Sequence, residues 1–239
     1  MKLSLRLQAI ADMAEPGSTV VDVGCDHGYI PIWLTENSVI KGAAACDVNK
    51  EPLLRAKNNI ALHDLEDKIE TILSDGLSND EISDFLRRKG SDNNTLIIAG
   101  MGGQLIIRIL DKDKAKLSGF SRLIIQPQSK DSDVRAYLSG NGFAIIDEKM
   151  VFEDGKYYKI IKAVPGKQSL TERELIFGPV NISEKSEVFI SYLEFRQSLL
   201  SRIRSGISGD NGNADELKIK EIESELKYIS EVLSEYEGN

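Results

Sequence analysis

Thr19-Val20-Val21-Asp22-Val23-Gly24-Cys25-Asp26-His27-Gly28-Tyr29-Ile30-Pro31 is the stretch on which the fold turns. It opens with a β-branched apolar run, passes through a loop with two glycines, and ends on a helical pattern that continues to Glu36. A strand that enters a glycine turn and leaves as a helix is the first half of a βαβ unit. Glycine in such a turn permits a tight backbone and a close approach by a ligand.

The pattern repeats outward from this stretch. Strands are expected at Thr19–Val23, Gly42–Asp47, Lys68–Leu73, Thr95–Ala99 and Arg122–Gln126. Helices are expected at Tyr29–Glu36, Lys50–His63, Asp80–Arg88, Gly103–Leu110 and Asp131–Ser139, with a short leading helix within residues 2–14. Such alternation forces crossover connections, hence an α/β fold whose sheet is mainly parallel. Phe143–Phe152 and Lys156–Val164 flank Asp154-Gly155 and read as an antiparallel hairpin, bringing the sheet to seven strands. A parallel sheet closed by an antiparallel hairpin matches class I methyltransferases better than purely parallel dinucleotide-binding folds, by analogy of fold.

Pro165-Gly166 marks a boundary, dividing the chain into domains at 1–164 and 165–239. Beyond it the pattern is helical. Ile219, Ile222, Leu226, Ile229, Leu233 and Tyr236 recur at 3-4-3-4-3 spacing, and Phe189, Tyr192, Leu199 and Ile203 follow the same rhythm, with Arg196 filling one position. Two helices separated by Ser205–Asn213 form a small coiled-coil-like hairpin. Its seam fits either a monomer or a weak homodimer.

With 41% hydrophobic and 28% charged residues, the composition is that of a soluble globular protein. No apolar run is long enough to span a bilayer. The first residues, Met1 to Leu7, lack the apolar block of a signal peptide, and Cys25 and Cys46 form no disulfide framework, so a cytoplasmic location is expected. The net charge of −8 argues against nucleic acid until it is mapped. Residues 210–239 hold nine acids and three lysines, which is −6 of the −8, and leave the rest near neutral.

Three strand ends carry an acid in order: Asp22 with Gly24, Cys25 and Gly28; Asp47 with Val48; Asp75 with Gly76. Asp47 is placed to take ribose hydroxyls and Asp75 an adenine amino group, which makes a nucleoside pocket at the carboxyl edge of the sheet. Charge selects the cofactor. Asp22 and Asp26 would repel a pyrophosphate but favour the sulfonium and ammonium of S-adenosyl-L-methionine. Gly100-Met101 ends the fourth strand beside the same pocket, with Gly102 and Gly103 following, and Gln126-Pro127 ends the fifth. The Asn/Asp-Pro-Pro-aromatic sequence of exocyclic-amine methyltransferases is missing from the chain.

Taken together, Leu3-Ser4-Leu5-Arg6-Leu7, Asp22 to Pro31, Asp75-Gly76-Leu77, Ile98 to Gly103 and Gln126-Pro127-Gln128 resemble the bacterial tRNA methyltransferases that modify N1 of adenine 22. The likeness runs through about residues 1–164 and into the C-terminal hairpin. Asp47-Val48 stands where that family has Glu-Val, and Gln126-Pro127-Gln128 where it has Gln-Pro-Asn. The resemblance implies a class I Rossmann-like domain with a small helical domain, S-adenosyl-L-methionine as cofactor and tRNA as substrate. Asp26, His27 and Tyr29 are then the catalytic candidates: a carboxylate either for the charge that develops on the base or for the cofactor's ammonium group, an imidazole that either assists it or serves only the helix start, and a ring to stack on or hydrogen-bond the adenine. Arg6, Gly102, Gly103, Gln126 and Pro127 are read as substrate contacts, and no metal is called for. Lys2, Arg6, Arg87-Arg88-Lys89, Lys130, Arg135 and the first hairpin helix (Arg196, Arg202, Arg204) are candidate RNA contacts. The other readings are a methyltransferase acting on rRNA, protein or a small molecule, a cofactor-binding protein without turnover, and a scaffold built on the hairpin.

Overall fold

The computed structural model describes residues 1–90, 92–207 and 213–237. The elements are, in order, α1 (Leu5–Ala11), β1 (Ser18–Val23), α2 (Tyr29–Glu36), β2 (Ile40–Asp47), α3 (Lys50–Leu62), β3 (Ile69–Leu73), α4 (Glu81–Lys89), β4 (Asn94–Met101), α5 (Gly103–Lys112), a 3-10 turn (Lys114–Gly119), β5 (Arg122–Pro127), α6 (Asp131–Gly140), β6 (Phe143–Glu153) and β7 (Lys156–Pro165). They are followed by α7 (Glu172–Phe177), α8 (Pro179–Glu184), α9 (Glu187–Ser205) and α10 (Asn213–Glu237). Two compact units divide between Ser169 and Leu170.

The first unit holds one seven-stranded sheet in the order β3-β2-β1-β4-β5-β7-β6. Strands β1 to β5 pair in parallel, and β7 enters antiparallel between β5 and β6. All six residues of β1 are buried, as befits a central strand covered on both faces. Leu3, Ile10, Met13, Ile30, Ile32, Leu34, Ala56 and Ile60 pack α1, α2 and α3 on one face. The crossovers through α4, α5 and α6 cover the other, with Ile82, Phe85, Ile106, Leu110, Val134 and Leu138 buried. The chain order reverses between β1 and β4, so their carboxyl ends splay apart and open a crevice. Asp154 (φ 50°) and Gly155 (φ 75°) close the β6–β7 hairpin with two left-handed residues, as its tight turn requires.

The leading helix is shorter than residues 2–14, because the Ser4 hydroxyl accepts from Leu7 N–H and caps it. Arg135, a candidate RNA contact by sequence, is fully buried. Its Nε donates to Glu148 Oε1 at 2.8 Å and its Nη1 to Asp131 Oδ2 at 2.9 Å, while Lys159 also reaches Asp131 at 2.9 Å. It ties α6 to the hairpin. Arg87 and Arg88 are engaged by Asp84 and Glu70.

The second unit is all helical. Thr171 and Glu174 form a reciprocal cap on α7, and Ser186 caps α9. The buried residues of α9 are Phe189, Ile190, Leu193 and Leu200, and those of α10 are Ile222, Ile229 and Val232. The stripe therefore departs from the heptad reading. Val232 replaces Leu233 at the buried position, Tyr236 and Ile203 are exposed, and Leu193 and Leu200 take the places assigned to Tyr192 and Leu199. The burial still repeats every seven residues (Leu193 and Leu200, Ile222 and Ile229); what differs is which of two adjacent apolar residues is covered at a step. Arg196 does fill a seam position, and it forms a two-pronged bond with Glu225 (2.6 and 2.8 Å). Arg204 pairs with Glu223 on the same partner helix. These two guanidiniums are thus directed at the acidic last helix, which weakens the reading of α9 as an RNA-facing surface. Of the Ser205–Asn213 break, residues 208–212 lie outside the described residues.

Candidate active site

The loop after β1 is held by three left-handed residues, Gly24 (φ 77°), Asp26 (φ 49°) and Gly28 (φ 70°). The amides of Gly24 and Cys25 both donate to the Cys46 carbonyl, at 2.8 and 3.0 Å, which stitches the loop to β2. Gly28 then caps α2. The loop forms one wall of a cavity of about 720 Å³ at the carboxyl ends of β1 to β4, within the size range of small-molecule sites.

Most of the residues singled out in the sequence line this cavity: Arg6, Asp22, Gly24, Cys25, Asp26, His27, Tyr29, Asp47, Val48, Asp75, Gly76, Gly100 and Met101. Gly28, Gly102, Gly103, Gln126 and Pro127 do not; they shape it from behind. A Cβ on Gly103 would lie 2.5 Å from the Ser129 carbonyl, so this glycine serves the packing of α5 against the β5–α6 loop. Gln126 is fully buried, and its Oε1 accepts from Arg6 Nη1 and from the Gly100 amide, both at 3.1 Å.

Asp22 is buried on the cavity floor. Burial, and then the nearby charge of Asp47, raise its pKa to about 7. Asp47 is nearly buried and accepts from the Asn49 amide at 2.8 Å. Burial pushes the Cys25 and Cys46 thiols up, assisted by Asp22, so both stay protonated and unreactive. At the rim, Asp26 is exposed, 3.6 Å from Arg55 and 3.7 Å from His27. The His27 and Tyr29 rings lie parallel, 5.1 Å apart. Asp75 pairs with Lys112 at 2.7 Å at the far end.

Sequence reasoning missed several lining residues: Leu7, Asn49, Ser74, Leu105, Arg108 and Ile109. Leu105, Arg108 and Ile109 follow 3-4 spacing on α5, a signal that was present once the helix had been placed. The counter-ion Arg55 had no local signal. The space beside Gly24, read as room for a ligand, is occupied by Met101, whose Cε would lie 2.1 Å from a Cβ at that position.

Cofactor fit follows from the donor set. A buried carboxylate facing a cavity suits a cationic ligand, and acids closing β1, β2 and β3 suit an adenosine. These residues fit S-adenosyl-L-methionine.

The comparisons agree with this geometry. Residues 3–161 match the family model described as a methyltransferase domain, and the chain belongs to that family. Within it, the chain belongs to the tRNA (adenine(22)-N(1))-methyltransferases. It is 31% identical over 243 aligned positions to the Bacillus subtilis (strain 168) protein of that name, covering 98% of each. The solved structure of the B. subtilis M1A22 tRNA methyltransferase TrmK superposes with a TM-score of 0.83 at 31% identity, covering 97% of this chain and 98% of that one. M. capricolum TrmK, solved with S-adenosyl-homocysteine, gives a TM-score of 0.81 at 31% identity, covering 98% and 99%.

Proposed function

We propose that this protein transfers a methyl group from S-adenosyl-L-methionine to N1 of adenine 22 in tRNA. The observation that carries the reading is the cavity at the β1–β4 ends, in which the buried Asp22 and Asp47 and the exposed Asp75 sit with the Asp26-His27-Tyr29 rim. The full-length likeness to a protein of that name in B. subtilis supports the same reading.

Asp22, Gly24, Cys25 and Gly28 would hold the amino-acid and sulfonium part of the cofactor, directly or through the loop backbone. Asp47 and Val48 would hold its ribose, Asp75 and Gly76 would enclose the adenine, and Gly100 and Met101 would flank the cofactor at the end of β4. When bound, the cofactor supplies an electrophilic methyl group on a sulfonium. N1 of adenine has an in-plane lone pair, so positioning accounts for most of the acceleration. The parallel His27 and Tyr29 rings offer a face on which a turned-out base can stack. Asp26, exposed at the rim, opposes the positive charge that develops on the ring and can accept an amino proton. Arg55 and His27 beside it fix its position. Among the described residues no helix is long and apolar enough to cross a membrane. The protein is read as a cytoplasmic monomer or weak homodimer that needs no metal.

The test is a transfer assay with labelled cofactor and bulk tRNA, followed by nucleoside mapping. 1-Methyladenosine at position 22 is expected. Label on another RNA, or cofactor binding without transfer to RNA, would overturn the assignment.

A further inference from the structure

The charges around the cavity are lopsided. Four carboxylates line it (Asp22, Asp26, Asp47 and Asp75), against two guanidiniums, Arg6 and Arg108. The cofactor is not simply a cation, because its methionine part ends in a carboxylate that these acids would repel. One cation in the cavity is built to receive it.

Arg6 stands on the first turn of α1, and its setting is unusually fixed. Glu153 accepts from the backbone amides of Leu5 (2.6 Å) and Arg6 (3.3 Å), which clamps the start of the helix to the hairpin. The guanidinium lies 5.4 Å from the centre of the Tyr158 ring. Its Nη1 donates to Gln126 Oε1, and Gln126 cannot turn, because the same oxygen accepts from Gly100 while its Nε2 donates to the Pro127 carbonyl at 2.9 Å. Among the described residues no carboxylate lies within ion-pair distance of this guanidinium. Arg6 therefore brings a full positive charge, one occupied edge and further N–H donors to the cavity, beside Gly100 at the end of β4. Arg108 lies at the opposite end, with Asp75 and Lys112.

We propose that Arg6 holds the α-carboxylate of the cofactor's methionine part, and that the buried Gln126 is the positioning residue that aims it. This moves Arg6 from the acceptor side to the cofactor. It also makes the N-terminal helix part of the cofactor site, so cofactor loading is coupled to the clamp at Glu153. The inference rests on the cofactor named above but not on the RNA acceptor.

Two ligands separate this role from a general effect. S-Adenosylhomocysteine carries the amino-acid carboxylate, and 5′-methylthioadenosine lacks the whole amino-acid part. Calorimetric titration of the full chain without RNA is expected to show a loss of about tenfold to a hundredfold in S-adenosylhomocysteine affinity for Arg6→Gln, the range for a charged hydrogen bond. Affinity for 5′-methylthioadenosine should stay within about twofold. Arg6→Lys should retain part of the binding, and Gln126→Leu should weaken S-adenosylhomocysteine alone and less severely. Unchanged S-adenosylhomocysteine binding by Arg6→Gln overturns the proposal, and if the tRNA KM then rises, Arg6 is an acceptor contact. Equal losses for both ligands, or a wild-type chain that does not bind S-adenosylhomocysteine, overturn it as well. A wild-type chain that shows the ligand pattern but methylates no tRNA sinks the proposed function and leaves this inference standing.

Discussion

Asp22 and Asp47 close neighbouring parallel strands, and the charge of Asp47 helps to keep Asp22 protonated up to about pH 7. Burial is the larger cause. In the unfolded chain the group returns to about 3.8, so between these values the folded state keeps a proton that the unfolded state has lost. Stability must therefore fall as pH rises through this window and level off above it. Each pH unit across the window is worth about 1.4 kcal/mol. Asp22→Asn should remove the slope, so chemical denaturation ought to favour the variant progressively from about pH 5 to about pH 8. A cationic ligand draws the proton off, so cofactor affinity in the wild type should rise by up to about tenfold per pH unit below pH 7, and the variant should lose that dependence.

Gly24 and Met101 form a steric pair. A side chain at residue 24 meets the Met101 methyl group and also needs a left-handed φ. Gly24→Ala is expected to lose about 1–2 kcal/mol from backbone strain, plus a contact contribution. Adding Met101→Ala should recover the contact contribution only, which a double-mutant cycle on denaturant midpoints measures. Full recovery would show that the backbone is not strained there.

Asp26 is exposed and lies outside the core, so its removal should spare stability. If it opposes charge on the base, Asp26→Asn lowers kcat by about 10²-fold or more at saturating cofactor and tRNA, while leaving cofactor affinity nearly unchanged. Lost cofactor affinity with normal kcat would assign it to the cofactor instead.

The Arg135 cluster is a matter of stability rather than RNA binding. Burial alone would raise Asp131, but Lys159 and then Arg135 outweigh it and hold its pKa at about 2. A depressed folded pKa stabilises above the unfolded value near 3.8, and the gain is lost as pH falls toward 2. Arg135→Ala withdraws the cation from the buried Glu148 and should cost about 3–5 kcal/mol. Pairing Arg135→Met with Glu148→Leu should restore much of this. Reduced tRNA affinity in a folded Arg135 variant would reopen the RNA role.

The sheet was legible from residue types alone, because apolar runs, glycine turns and helical spacing are local signals. Tyr29–Glu36 has the bounds expected of it, and Asp154-Gly155 makes its turn. The acids at the strand ends were legible for the same reason. Their states were not, since nothing local distinguishes the buried Asp22 from the exposed Asp26. The seam of the second unit was legible as a helix pair but misread by one residue at several steps, because spacing alone does not say which of two adjacent residues, such as Tyr192 and Leu193 or Val232 and Leu233, is covered.

What the sequence determined by itself is the order of strands and helices, the loop from Asp22 to Tyr29, and the acid at each of three strand ends. Only the tertiary structure decided that Gln126 serves Arg6, that Arg55 serves Asp26, that Met101 fills the space at Gly24 and that Arg135 is sealed in the core. The reason is physical: spacing along the chain reports which face a residue lies on, whereas burial, charge neighbours and steric contact depend on segments up to 148 residues away.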